Sequence, residues 1–216
     1  MTRPLLLGHR GARASRHVPE NTLESFELCL RHGCGGFEFD VRRSADGQAV
    51  ICHDAVTRGM VIAKTAASAL ALPTLGDVLS SFGRRAFLDI ELKVAGLEEQ
   101  TIGLLKEHSP SEGYVVSSFK PEVLTALRQF DSKIPLGFIS DRRDELERWQ
   151  EVPAAWVIPQ FELVDPMLID KIQASGKKVM VWTVNRQDRL RRFADLGVDA
   201  IISDDTELSA QILAGK

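Results

Sequence analysis

Three carboxylates (Glu38, Asp40 and Glu91), two histidines (His9 and His53) and two cations (Arg10 and Lys93) sit at the ends of short apolar runs. The runs read LLLGHRG, GGFEFDV and AFLDIELK, with QAVICHD folding back from the second. Carboxylates can hold a hard cation, imidazoles can carry protons, and a guanidinium and an ammonium can clamp a phosphate. Together they suit metal-assisted phosphodiester chemistry.

Strand geometry explains how such groups come together. In FEFDVR, period-two alternation puts Glu38, Asp40 and Arg42 on one face and Phe37, Phe39 and Val41 on the other. In LDIELK it groups Asp89, Glu91 and Lys93 opposite Leu88, Ile90 and Leu92. One carboxylate pair could equally serve a structural ion pair, but three at one barrel mouth favour a divalent cation, and an all-oxygen donor set favours Mg2+ or Ca2+ over zinc. The formal charges of the triad, a divalent ion, a phosphodiester, Arg10 and Lys93 balance.

SADG between FEFDVRR and QAVICHD signals a hairpin. A turn centred near Asp46 places His53 opposite Phe39 and Asp40, beside the acidic cluster. His9 ends the first strand and reaches the same mouth from another side, so one histidine can act as acid and the other as base. Arg10 and Lys93 either bind phosphate or neutralise the carboxylates. His17, His32 and His108 carry no such convergence and read as structural.

The positioning elements recur along the chain. Strand-like runs near 5–9, 36–43, 86–93, 114–118, 135–139, 155–159, 178–184 and 199–203 alternate with amphipathic stretches, predicting a TIM (β/α)8 barrel with a β-hairpin extension after strand two. The first helix is expected after Pro19, with Asn21 as N-cap, Glu24 in capping-box spacing and an end near Gly33. The Arg186, Arg189, Arg191 and Arg192 face reads as a solvated helix surface. Residues 54–73, with AKTAASALALP, are the least regular part.

The chain has 216 residues, 44% hydrophobic and 26% charged, consistent with a single domain over residues 1–216. A formal charge of -3 argues against a nucleic-acid surface held by bulk electrostatics. Cys29, Cys34 and Cys52 are odd in number and lack metal-ligand spacing, so buried thiols are expected. No apolar run is long enough for a transmembrane segment, and the N-terminus lacks a signal-peptide pattern, which leads to a cytoplasmic expectation. Oligomeric state has no signature here.

At HRG, PENT, EFDVRRSADG, CHD, ELK, WTVN and GVDAIISD the chain resembles the glycerophosphodiester phosphodiesterase family, in matching order from residue 8 to about 204. The resemblance implies a TIM barrel binding one divalent cation through Glu38, Asp40 and Glu91, with His9 and His53 as the acid/base pair. It assigns Arg10 and Lys93 to phosphate or substrate binding and Trp182 to the pocket wall, with ordinary barrel-core packing as the lesser alternative for that ring. Phe119 in SSFKPE could extend the wall.

The implied substrate is a small-molecule glycerophosphodiester, cleaved to an alcohol and glycerol 3-phosphate, with water or a glycerol hydroxyl as the attacking group. The loop Gly11–Pro19 is somewhat longer than the family pattern, ISDD lacks the common proline, and residues 54–73 form a much reduced cap. A reduced cap leaves an open mouth, which makes a lysophospholipase D-like activity the nearest alternative. From another class, the alternative is a non-catalytic phospho-ligand-binding barrel.

Overall fold

The structure is a computed structural model that describes residues 3–215. In chain order, β1 (Leu5–Gly8) leads through α1 (Leu23–Arg31) to β2 (Gly36–Arg43), which turns back as β3 (Ala49–Ile51). The paired β4 (Val56–Thr57) and β5 (Met60–Val61), a 3-10 turn and a single-turn α2 (Ala67–Leu70) precede α3 (Leu75–Phe82) and β6 (Phe87–Leu92). Strand and helix then alternate: α4 (Glu98–His108), β7 (Tyr114–Ser118), α5 (Pro121–Phe130), β8 (Leu136–Ser140) and α6 (Arg143–Leu146). The series ends with β9 (Trp156–Pro159), α7 (Pro166–Ala174), β10 (Lys178–Val181), α8 (Gln187–Asp195), β11 (Ala200–Ser203) and α9 (Thr206–Ala214).

β1 pairs in parallel with both β2 and β11, so β1, β2 and β6 to β11 close into an eight-stranded parallel barrel. The expected TIM barrel is therefore the observed fold, each expected strand matching one of its staves. Two apolar layers hold it. Inside, Leu7, Val115, Ile139, Ile158, Met180 and Ile202 fill the barrel. Outside, Phe37 and Phe39 leave β2 toward the helices, where Phe37 stacks on Phe26 of α1 at 4.2 Å and meets Phe82 of α3 edge-on at 5.2 Å. The same alternation sends Glu38 and Asp40 inward.

The hairpin register is Val41↔Ile51, Arg42↔Val50 and Arg43↔Ala49, and Cys52 N donates to Asp40 O at 2.9 Å. Continuing that ladder sets His53 opposite Phe39, as the turn predicted. Arg42 Nε donates to His53 O at 2.7 Å and fixes the end of the excursion. Beyond it, residues 54–73 are not irregular throughout: Ile62 and Leu70 bury against Val50 as a small separate core. The reduced cap thus folds onto the hairpin.

The start of α1 differs from expectation. Thr22, not Asn21, is the N-cap, its side chain accepting from Ser25 N, while Asn21 has φ 57°. The Asn21 side chain is used elsewhere, donating to Asp40 Oδ2 at 2.8 Å. A side chain committed to a buried carboxylate cannot also cap the helix.

Candidate active site

The HRG turn follows β1 directly and is shaped for close approach. A Cβ on Gly8 would lie 2.4 Å from Gly11 O, and Gly11, at φ +81°, would bring one to 2.4 Å from Ser25 Oγ. Only glycine fits both places without displacement. With Arg10 itself at φ 51°, its backbone N–H points into the mouth and donates to Glu38 Oε2 at 3.0 Å.

Glu38 and Asp40 from β2 and Glu91 from β6 each present an oxygen, all within 4.8 Å of one another and all buried. Parallel pairing puts Asp40 directly beside Glu91. Burial pushes Glu38 up, and the charges of Asp40, Glu91 and Asp89 push it further. Burial and Asp40 raise Glu91 to about 7. Burial also works on Asp40, but Lys93, the Asn21 hydrogen bond, Arg10 and His53 outweigh it and hold that carboxyl below its usual range. Glu38 Oε1 is buried without a hydrogen-bond partner. Mutually repelling carboxylates with an orphaned oxygen are the donor set a hard divalent cation would satisfy, so this triad fits such an ion.

The predicted phosphate ligands lie in the same place. Lys93 Nζ is 2.7 Å from Glu91 Oε1 and 3.3 Å from Asp40 Oδ1, and 5.6 Å above the Phe119 ring. Burial lowers the Lys93 ammonium, but Glu91 and Asp40 outweigh it and raise the group above its ordinary value. Arg10 Nη1 donates to Glu20 Oε1 at 2.7 Å. Its Nε lies 3.2 Å from Asp40 Oδ2 yet makes no hydrogen bond, leaving a buried donor unused. Both cations here neutralise carboxylates, and the spare Arg10 donor faces the same cluster.

The histidines flank the triad. His9 Nδ1 is 2.7 Å from Asp204 Oδ1, and its Nε2 lies 3.9 Å from Glu38 Oε2. Burial opposes ionisation of Asp204, but hydrogen bonds from His9, Asn185 and Arg13 prevail and hold it well below the usual carboxylate range. His53 Nδ1 is 2.8 Å from Asp54 Oδ1, and the imidazole is more exposed, 35% against 12% for His9. Each ring is anchored at Nδ1, and His9 turns its Nε2 toward Glu38.

A cavity of about 210 Å3 joins these groups, lined by His9, Arg10, Glu38, His53, Glu91 and Lys93 on one side and by Phe119, Trp182 and three isoleucines on the other. Phe119 and Trp182 meet edge-on at 5.6 Å, and Trp182 Nε1 donates to Ile158 O at 3.0 Å. Every site residue expected from sequence lines this cavity except Asp40, which lies behind it. A groove along the cap also touches His53, between Glu20 and Asp54 and the 71–73 segment.

Sequence reasoning missed the supporting shell. Asp204 lies in the ISDD stretch, Asn185 donates to Asp204 Oδ2 at 2.7 Å, and Asn21 and Glu20 lie within PENT. Their presence in the matching fragments was the available signal. Among the remaining histidines, His32 pairs with Thr206 Oγ1 at 2.7 Å, a structural contact. All three cysteines are free, two of them buried. Among the described residues, no helix is long and apolar enough to cross a membrane.

Comparisons with known proteins find relatives over nearly the whole chain. The chain matches the Glycerophosphoryl diester phosphodiesterase family over residues 9–99 and 85–208. It is 30% identical to a glycerophosphodiester phosphodiesterase of Caldanaerobacter subterraneus subsp. tengcongensis, over 94% of this chain and 95% of the relative. An Oleispira antarctica phosphodiesterase, solved in complex with the product sn-glycerol-3-phosphate, matches with a TM-score of 0.84 at 28% identity, over 98% of this chain and 97% of that one. A glycerophosphodiester phosphodiesterase structure from Thermotoga maritima shares the fold with a TM-score of 0.85 at 24% identity, over 98% and 99% of the two chains. With the family model matched over most of the chain and a 30% identical relative covered almost end to end, the chain belongs to the glycerophosphoryl diester phosphodiesterase family.

Proposed function

We propose that the chain hydrolyses glycerophosphodiesters to an alcohol and glycerol 3-phosphate, using histidine acid/base catalysis and one divalent cation, Mg2+ or Ca2+. The observation that carries this reading is the joint placement of two carboxylate-anchored histidines on either side of the buried triad, within one cavity. A non-catalytic binder has no need of both anchored imidazoles.

Glu38, Asp40 and Glu91 would hold the cation, which supplies Lewis-acid stabilisation of charge on the phosphoryl oxygens. Lys93 and Arg10, which both line the cavity, add positive charge at the same place. His9 is held by a partly buried carboxylate that stays ionised, an arrangement that steadies an imidazolium once it has taken a proton from the attacking oxygen. We assign it as the base.

His53 borders both the cavity and the groove along the cap, so it stands where a departing alcohol would leave. We assign it as the acid that protonates the leaving alkoxide. Phe119 and Trp182 form the apolar wall against which the carbon skeleton rests.

Turnover of glycerophosphocholine tests the reading. After EDTA and dialysis, activity should vanish and return with Mg2+ or Ca2+, while His9→Ala and His53→Ala should each lose about 10²- to 10⁴-fold. Metal-independent turnover, or wild-type rates in both variants, would overturn it.

A further inference from the structure

Asp89 is a carboxyl group that none of the roles above employs. It stands on β6 two residues before Glu91, shares the inward face and pairs across the ladder with Glu38. It is wholly buried, yet it is among the residues that line the catalytic cavity, as are Ile139, Ile158 and Ile202. Its Oδ1 accepts from Ser117 Oγ at 2.5 Å, whereas Oδ2 has no hydrogen-bond partner. The group of oxygens close enough to share one cation comprises Glu38, Asp40 and Glu91, and Asp89 stands outside it.

A buried carboxyl oxygen without a partner is costly, and native structures seldom keep one without use. Its charged neighbours across and along the ladder, Glu38 and Glu91, are themselves carboxylates, so the fold brings no donor of its own to Oδ2. A ligand hydroxyl reaching it would complete the pair, because hydroxyl and carboxyl can each donate or accept according to protonation. Sites built around a buried polar group reject analogues that lack its partner far more strongly than apolar pockets reject a size change.

We infer that Asp89 is a specificity-determining residue that pairs through Oδ2 with one hydroxyl of the glycerol moiety. The inference rests on the hydrolase reading for its substrate class but is read out by binding. One free oxygen receives one hydroxyl, so the selection is for a polyol over a plain alkyl ester.

Calorimetry on the full chain in excess Mg2+ provides the test, with sn-glycerol 3-phosphate, propyl phosphate and the two singly deoxygenated propanediol phosphates as ligands. The wild-type protein should bind glycerol 3-phosphate at least tenfold more tightly than propyl phosphate, most of the loss falling on removal of one particular hydroxyl. Asp89→Val, which removes both oxygens at similar volume, should cut that discrimination about tenfold and leave the affinities for propyl phosphate and Mg2+ within threefold.

Retained discrimination in the variant, equal weakening of all ligands, or a parallel loss of Mg2+ affinity would overturn the inference. Equal affinity of the wild-type protein for all four ligands would overturn it without any variant, should Asp89→Val fail to fold. The expected discrimination in a protein that does not turn over glycerophosphocholine would refute hydrolysis and uphold the role of Asp89.

Discussion

Replacing Asp204 by Ala should separate proton transfer from substrate binding. Asp204 Oδ1 accepts from His9 Nδ1 at 2.7 Å and also receives Arg13 Nη1 at 3.1 Å, while Oδ2 takes Asn185 Nδ2 at 2.7 Å. None of these contacts involves the triad or Lys93, so cation and phosphate binding should survive. A hydrogen bond to a charged group contributes about 1.5–3 kcal/mol. If that stabilisation is realised on the imidazolium in the transition state, its loss lowers kcat by about 10- to 150-fold. Misorientation of the freed ring can add to this, since a triad carboxylate that fixes its histidine is worth up to about 10⁴ in the serine-protease case.

The assay is steady-state turnover of glycerophosphocholine at saturating divalent ion, with Mg2+ affinity measured separately. The expected result is a kcat drop of at least tenfold, KM within threefold and unchanged Mg2+ affinity. Asn185→Ala, which removes one of the other donors to Asp204, should fall between this variant and wild type. A kcat within twofold of wild type, or a loss that appears in Mg2+ affinity instead, would refute the assignment of Asp204 as the group that positions His9.

Other consequences follow from the same contacts. Asp89 and Glu91 are both raised to about 7, so the folded metal-free protein binds these protons more tightly than the unfolded chain does, and stability falls as pH rises from the ordinary carboxylate range to about 7. Asp204 has the opposite sign: its lowered carboxyl adds stability above the ordinary carboxylate value and loses it only as pH falls through a value below this window. Thermal melting should therefore give a metal-free Tm at least ~5 °C lower at pH 8 than at pH 5.5, with divalent ion stabilising far more at pH 8; the shift corresponds to a few kcal/mol at this chain size. An apo Tm that rises with pH would contradict the buried-triad electrostatics. Glu38→Gln, which removes charge at the orphaned oxygen, should weaken Mg2+ binding at least tenfold by calorimetry, and undiminished affinity would remove Glu38 from the ligand set. With a p-nitrophenyl leaving group, which needs little protonation, His53→Ala should recover at least tenfold relative to its defect on glycerophosphocholine while His9→Ala should not; recovery in His9→Ala alone would reverse the acid and base.

The barrel was readable because its strands pass from apolar to charged within a few residues, and the period of two separates Phe37 and Phe39 from Glu38 and Asp40 without any tertiary information. His53 was readable because a hairpin is local: the turn near Asp46 sets the register seen in the Val41↔Ile51 pair. Asp204 was not, because its partner His9 lies 195 residues away and the two meet only when β1 closes on β11. Asn21 has good capping chemistry, but the adjacent Thr22 also caps and leaves the amide free for Asp40. A short-range rule ranks two such neighbours without seeing the carboxylate that separates them. Asp89 shares a face with Glu91, yet sequence alone cannot tell that one of its oxygens is left without a partner.

The proposed reaction cleaves a glycerophosphodiester on the alcohol side of phosphorus. Phosphorus-31 NMR of glycerophosphocholine incubated with the Mg2+- or Ca2+-supplemented protein tests it directly. The diester resonance should be replaced by that of glycerol 3-phosphate, with no change when EDTA is present. Appearance of phosphocholine instead, or an unaltered diester with the cation supplied, would contradict the account.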